Sequence, residues 1–169
     1  MLAAVKEGDA KKVSELMRQD PGFKVNMDLG NGWALLHEAC GGNGGSAMIP
    51  LLLAHPDIDV NPRDMDGWTP FFRACLNGYA SCVREMLKDS RVNVNEPDND
   101  GYTPLYWAAH DAPLDIIKWW IASGREMDLR NQGMSTRRMP LGRQRREAGQ
   151  KWWPCWRDSR RIQWKPGML

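Results

Sequence analysis

One stretch of this chain is written three times. Asn26-x5-Gly32-Trp33 recurs as Asn61-x5-Gly67-Trp68 and again as Asn95-x5-Gly101-Tyr102, at steps of 35 and 34 residues. After each glycine come Ala34-Leu35-Leu36-His37-Glu38-Ala39-Cys40, Thr69-Pro70-Phe71-Phe72-Arg73-Ala74-Cys75 and Thr103-Pro104-Leu105-Tyr106-Trp107-Ala108-Ala109. Self-similarity at this period dictates a stack of like units, because each is too short to bury its apolar face except on its neighbour.

The second copy shows what the unit folds into. Asp64-Met65-Asp66-Gly67 permits a tight turn with positive φ. Thr69 supplies an N-cap oxygen and Pro70 fills the first helical position, where a missing N–H costs nothing. Phe71, Ala74 and Cys75 then share one helix face, and Gly78 is placed to end the helix in the left-handed conformation. A second helix is predicted over Ala80 to Leu87, with Val83, Met86 and Leu87 inward. Upstream, Leu2 to Met17 carries Leu2, Val5, Val13, Leu16 and Met17 around a break at Gly8-Asp9, which predicts a helix pair closing the stack.

Gly-x-Thr-Pro-Leu, the small pair after it and the closing Val-Asn resemble the ankyrin repeat over residues 1–129. The resemblance implies an all-α repeat solenoid of stacked helix pairs with short hairpin loops. Its parts are an N-terminal capping pair at 1–25 and repeats at about 26–60, 61–94 and 95–129. Three departures from the pattern carry expectations. Ala34-Leu35 replaces Thr-Pro, which removes the first cap and leaves the hydrogen-bond network of His37, a structural residue in the family, incomplete. Gly41 to Gly45 lengthens the first inter-helix turn. Ala112-Pro113 replaces a glycine turn, where a left-handed Ala112 is strained by about 1 kcal/mol.

The remaining 40 residues differ in kind. Residues 1–129 hold 12 basic and 19 acidic side chains, whereas 130–169 hold 11 basic against only Glu147 and Asp158, with four of the nine tryptophans. Gly133, Pro140, Gly142 and Gly149 interrupt this basic Trp-rich tail, which on its own is expected to be disordered. A stack also needs a polar C-terminal cap; without one Ile116, Ile117, Trp120 and Ile121 are expected to be exposed. Codons offer an origin for the tail. Lys151 to Trp156 must be encoded AAR-TGG-TGG-CCN-TGY-TGG, which from the third base reads (Met or Val)-Val-Ala-(Leu, Met or Val)-Leu, the inner face of a repeat helix. The second-base frame puts glycine at each Trp codon. A capping repeat translated out of frame would account for the tail's composition; this is an expectation that the transcript sequence decides.

Function is read from what these residues lack and what they leave outside. Asp57 with Asp59 and Asp64 with Asp66 are paired carboxylates placed in turns, the three histidines occupy non-equivalent positions, and no phosphate-loop or zinc motif occurs. No enzyme activity, metal or cofactor is expected. Cys40 and Cys75 read as core, and Cys40, Cys75, Cys82 and Cys155 as reduced thiols. No apolar run reaches the roughly 18 residues of a membrane span, and the charged start is unlike a secretory signal. A soluble monomer of the cytoplasm or nucleus is expected.

The resemblance implies binding of a partner protein, unidentified here, through hairpin tips and a concave face of first helices. Trp33, Trp68 and Tyr102, one repeat apart, form a ladder beside that face, as interface hot spots or as hairpin packing. Asn31, Met65, Asp66, Leu76, Asn77, Asn99, Asp100, His110 and Asp111 fall at positions that vary with the partner, and their acidic or neutral character suits a partner with positive charge. Phe72, Arg73, Tyr106 and Trp107 point partly outward, toward a partner or the next repeat. The alternative is nucleic-acid or anionic-membrane binding through the tail, whose arginines and Trp152, Trp153, Trp156 and Trp164 suit phosphates and bases.

Overall fold

The computed structural model of the chain describes residues 2–20, 24–42 and 45–128, which lie in one compact unit. The expectations for residues 130–169, Cys155 among them, lie outside the described residues, as does the side chain of Asp111.

Among the described residues the elements are eight α-helices and one 3-10 turn, with no strand. The chain is an all-α repeat solenoid. Helices α1 (Leu2–Lys6) and α2 (Ala10–Gln19) form the leading pair. Three repeats follow: α3 (Leu35–Gly41) with α4 (Ile49–Leu53), α5 (Pro70–Leu76) with α6 (Ala80–Leu87), and α7 (Pro104–Asp111) with α8 (Leu114–Ala122). The first helices pack side by side, α1 on α3, α3 on α5 and α5 on α7, while α4, α6 and α8 form a second layer. Between the layers lie Leu35, Leu36, Phe71, Cys75, Val83, Met86, Ile116 and Trp120, all without solvent exposure.

Local chemistry sets where each helix begins. Thr69 and Thr103 take extended backbone and accept from the N–H of Phe72 and Tyr106, a cap that contributes about 1 kcal/mol per helix. Asp9 caps α2 in the same way through the Lys12 N–H. Gly78 closes the turn after α5 at φ 73°. The glycine run after α3 serves a different need. A Cβ on Gly45 would stand 1.7 Å from the Ala39 carbonyl oxygen, so the 3-10 turn Gly45–Ala47 can lie on α3 only as glycine.

Asparagines hold the repeats in register. Asn26 donates from Nδ2 to the Asp57 carbonyl at 2.6 Å and accepts from the Asp59 N–H at 2.8 Å. Asn61 bonds Arg91 and Asn93 in the same way at 2.9 and 2.7 Å, and Asn95 bonds Glu126 and Asp128 at 3.0 and 2.9 Å. Each clamp ties one hairpin leg to the next, satisfying backbone groups that a loop would otherwise leave to water.

Three sequence expectations are corrected here. Ala112 does not become left-handed. It is extended, φ −87° and ψ 157°, so the turn escapes strain by reshaping and α8 starts after Pro113. Phe72 does not point outward; it is fully buried. At the C-terminal end Ile116 and Trp120 are also fully buried, Trp120 lying edge-on to Phe71 at 5.0 Å, and the exposed large apolar side chains of α8 are Leu114, Trp119 and Ile121.

Candidate functional site

Each repeat enters through the same hairpin. Leu29, Asp64 and Asp98 donate their backbone N–H to the carbonyls of Trp33, Trp68 and Tyr102, at 2.7, 3.1 and 2.9 Å. The buried carboxylates of Asp64 and Asp98 brace the second and third turns from within. Asp64 Oδ1 accepts from the N–H of Asp66 and Trp68, and Asp98 Oδ1 from the N–H of Asp100 and Tyr102. Adjacent tips are then joined, the Met65 N–H donating to the Asn31 carbonyl and the Asn99 N–H to the Asp66 carbonyl, at 3.0 and 3.1 Å. Asn31, the one non-glycine described residue at positive φ (58°), sits at the first tip.

Behind the tips runs an aromatic ladder whose rungs lie one repeat apart. Trp33 stacks on His37, Trp68 on Phe72, and Tyr102 tilts over Tyr106, with centroid separations of 5.3, 5.8 and 4.8 Å. Between the first two rungs lies Arg73. Its guanidinium carbon is 4.3 Å from the Trp33 centroid and 4.4 Å from that of Trp68, while Nε and one terminal nitrogen donate to Asp64 Oδ2 at 3.1 and 2.9 Å. Planar guanidinium suits both demands, stacking on π faces and forking onto a carboxylate. In the third repeat the position of Arg73 is held by Trp107, packed edge-on to Tyr102 and Tyr106. Its indole N–H is buried and makes no hydrogen bond.

His37 joins two repeats. Its Nδ1 accepts from the Ala34 N–H at 3.1 Å and its Nε2 lies 2.9 Å from the Trp68 carbonyl. These partners require the neutral ring with the proton on Nε2, which donates to the carbonyl. The expectation of an incomplete network is thereby corrected: Ala34 supplies no side-chain cap, yet both ring nitrogens are engaged. Burial holds the His37 pKa below its ordinary 6.5, against an opposing pull from the Trp68 carbonyl.

The expected site residues divide by exposure. Met65 (67 % exposed), Asp66, Asn77, Asn99 and His110 are exposed, as are Asn31 and Asp100. Trp33, Trp68, Leu76, Tyr102, Tyr106 and Trp107 are half-buried. Between the first and second tips opens a depression of about 340 Å³, floored by Trp33 and Arg73 and walled by Leu29, Asn31, Met65 and Asp66. Sequence reasoning missed Leu29 as a wall and Arg73 as a floor. The available signal was that the position shared by Glu38, Arg73 and Trp107 changes character in every repeat while the aromatic beside it does not.

Chemistry of other kinds finds few footholds. Among the described residues no three of His, Cys, Asp and Glu are placed to hold a metal, and no helix is long and apolar enough to cross a membrane. Cys40, Cys75 and Cys82 are buried free thiols, and burial pushes the pKa of each upward, away from the reactive thiolate.

A stack of helix pairs, joined by hairpins that expose their tips, defines a repeat scaffold. A family model described as Ankyrin repeats (3 copies) matches residues 1–96 and 42–131, and the chain belongs to the ankyrin-repeat family. Among curated proteins, SMC5-SMC6 complex localization factor protein 1 of Bos taurus is 43% identical over 67 residues, 38% of this chain and 6% of that protein. Its Homo sapiens counterpart matches equally, 43% over 67 residues. Protein phosphatase 1 regulatory subunit 27 of Mus musculus is 33% identical over 85 residues, 49% of this chain and 52% of that protein. The chain thus spans a small part of the first two relatives and about half of the third.

Proposed function

We propose that the repeats are a non-catalytic protein-interaction module of the cytoplasm or nucleus, holding a partner against the hairpin tips and the first helices. The observation that carries this reading is the rim of the groove between the first two tips. There Met65, 67 % exposed, stands beside the exposed carboxylate of Asp66, over a floor locked by Arg73 and Asp64. An exposed apolar side chain next to an exposed acid suits a partner segment that pairs apolar contact with positive charge. Asn99, bonded to the Met65 carbonyl, extends the same edge, and Leu76, Asn77 and His110, at or near the ends of α5 and α7, are the further expected contacts. A regulatory subunit and a localization factor among the relatives accord with a binding role.

The test is quantitative capture of partners from cells by the full chain, by a Met65→Lys/Asp66→Lys variant and by a chain lacking residues 130–169. Both substituted residues are exposed, so unfolding midpoints should match, and this is checked first. Partners retained without the tail and lost with the double substitution support the reading. Partners that survive the double substitution and vanish with the tail contradict it.

A further inference from the structure

The guanidinium of Arg73 is covered on its two faces and one edge, and its remaining edge is open. The faces lie against the Trp33 and Trp68 rings, with the central carbon 4.3 and 4.4 Å from the centroids. The edge formed by Nε and Nη2 forks onto Asp64 Oδ2 at 3.1 and 2.9 Å. What is left is Nη1, whose N–H groups reach no acceptor among the described residues. Arg73 lines the depression between the first two tips, whereas Asp64 and Trp68 do not. The side it turns to the depression is therefore the Nη1 edge.

This depression has room and an entrance. Its volume is about 340 Å³, Met65 and Asp66 at its rim are exposed, and a Cβ built on Gly30, which also lines it, would meet nothing within 4 Å. Leu29 and Met65 make its walls apolar. The carboxylate of Asp66 accepts no hydrogen bond from a described residue. The lining thus offers donors at the floor, an acceptor at the rim and apolar surface between them.

Charge decides what such a lining holds. Arg73 is already neutralised by Asp64, so an entering carboxylate meets Asp66 with no cation to answer it. An ammonium suits Asp66 but brings a like charge to Arg73 and leaves Nη1 without an acceptor. An apolar side chain strips water from those donors and returns nothing. A carboxamide carries one acceptor and two donors with no net charge.

We propose that the depression is a subsite for a glutamine side chain of the bound partner, whose carbonyl oxygen accepts from Arg73 Nη1 and whose NH2 donates to Asp66 while its methylenes lie on Leu29 and Met65. Glutamine fits better than asparagine, because the longer stem covers those walls on its way to the floor. The inference rests on the proposed binding role of this face and deepens it by naming one contact. A carboxylate has acceptor sites beyond the one this contact uses, so Asp66 still answers positive charge elsewhere on the partner.

Backbone and indole N–H resonances of the full chain test it, titrated with capped Ala-Ala-X-Ala-Ala peptides in which X is glutamine, glutamate, methionine or lysine. The main chain is then constant and only the side-chain chemistry changes. Expected with glutamine are shifts of the Trp33 indole and of the Gly30 and Asn31 main-chain N–H, with affinity at least about tenfold weaker for the other three peptides. Asp66→Ala, at an exposed position, should keep the unfolding midpoint and weaken the glutamine peptide by about the same factor, whereas Asp115→Ala on α8 should not weaken it. Equal binding of all four peptides would mean main-chain recognition and overturns the subsite. So does a preference for glutamate, methionine or lysine, no shift at millimolar glutamine peptide, or undiminished binding to the Asp66→Ala chain. A chain that fails here yet still loses its captured partner on Met65→Lys/Asp66→Lys keeps the general binding role, so the two failures are distinguishable.

Discussion

The guanidinium carbon of Arg73 stands 4.3 Å from the centroid of the Trp33 ring, so the second repeat reaches back to cover the first. The same side chain pairs with Asp64, whose own side chain is only 2% exposed. Packing, charge and turn geometry thus meet in one residue.

Arg73→Ala should therefore cost about 2–4 kcal/mol, since it leaves Asp64 buried without its cation and opens the gap between two indoles. Arg73→Lys should recover only part of the loss, because an ammonium keeps the charge and loses the flat fork. Urea unfolding of both variants checks this; Arg73→Lys equal to the parent chain would show that charge alone matters.

His37 predicts a pH dependence. Burial lowers its folded pKa below 6.5, so the unfolded chain binds the proton more readily than the folded one. Its stabilising contribution is complete above the ordinary histidine range and is lost as pH falls from about 6.5 toward the lowered folded value. His37→Phe, which imports the residue of the next repeat, should remove that slope while lowering stability at neutral pH, because the Ala34 N–H loses its acceptor. Unfolding midpoints at pH 7.5 and 5.5 measure the difference.

Glycine substitutions should separate close approach from backbone strain. Gly45→Ala drives a Cβ into the Ala39 carbonyl and should cost more than about 2 kcal/mol. Gly124→Ala meets nothing within 4 Å and bears only its positive φ, so about 1 kcal/mol is expected. Chemical denaturation orders the two, and the reverse order would contradict the close packing of the 3-10 turn on α3.

Ala34→Thr should stabilise. Ala34 has φ −98° and ψ 165°, close to the −83° and 165° of Thr69, so the backbone is already that of a capped helix lacking its oxygen. A gain of about 0.5–1.5 kcal/mol in thermal or urea unfolding is expected.

Local features of the fold were legible and distant ones were not. Thr69-Pro70, Gly78 and the inward Val83, Met86 and Leu87 could be read because a cap, a left-handed glycine and a helical face depend on residues within one or two turns. The Asn26, Asn61 and Asn95 clamps were visible as a spacing but not as bonds, since each partner lies a full repeat away. Arg73 was legible as a side chain facing a partner or the next repeat, but its slot was not, since rings from two repeats make it. Phe72 was misplaced because facing outward from one helix means facing inward to the next. Ala112 shows the opposite error, a strain expected from the family pattern that the chain avoided by extending its backbone. At the site, exposed Met65 and Asp66 followed from their place in the turn, whereas the groove between tips depended on how the repeats stack.

The most direct test of the account is carboxyl footprinting of the full chain, free and with its captured partner. The account predicts that Asp66 and Asp100, at the tips, become protected while Asp115 on α8 stays labelled. Unchanged labelling of both tip residues, with protection confined to residues 130–169 or to α8, would contradict it.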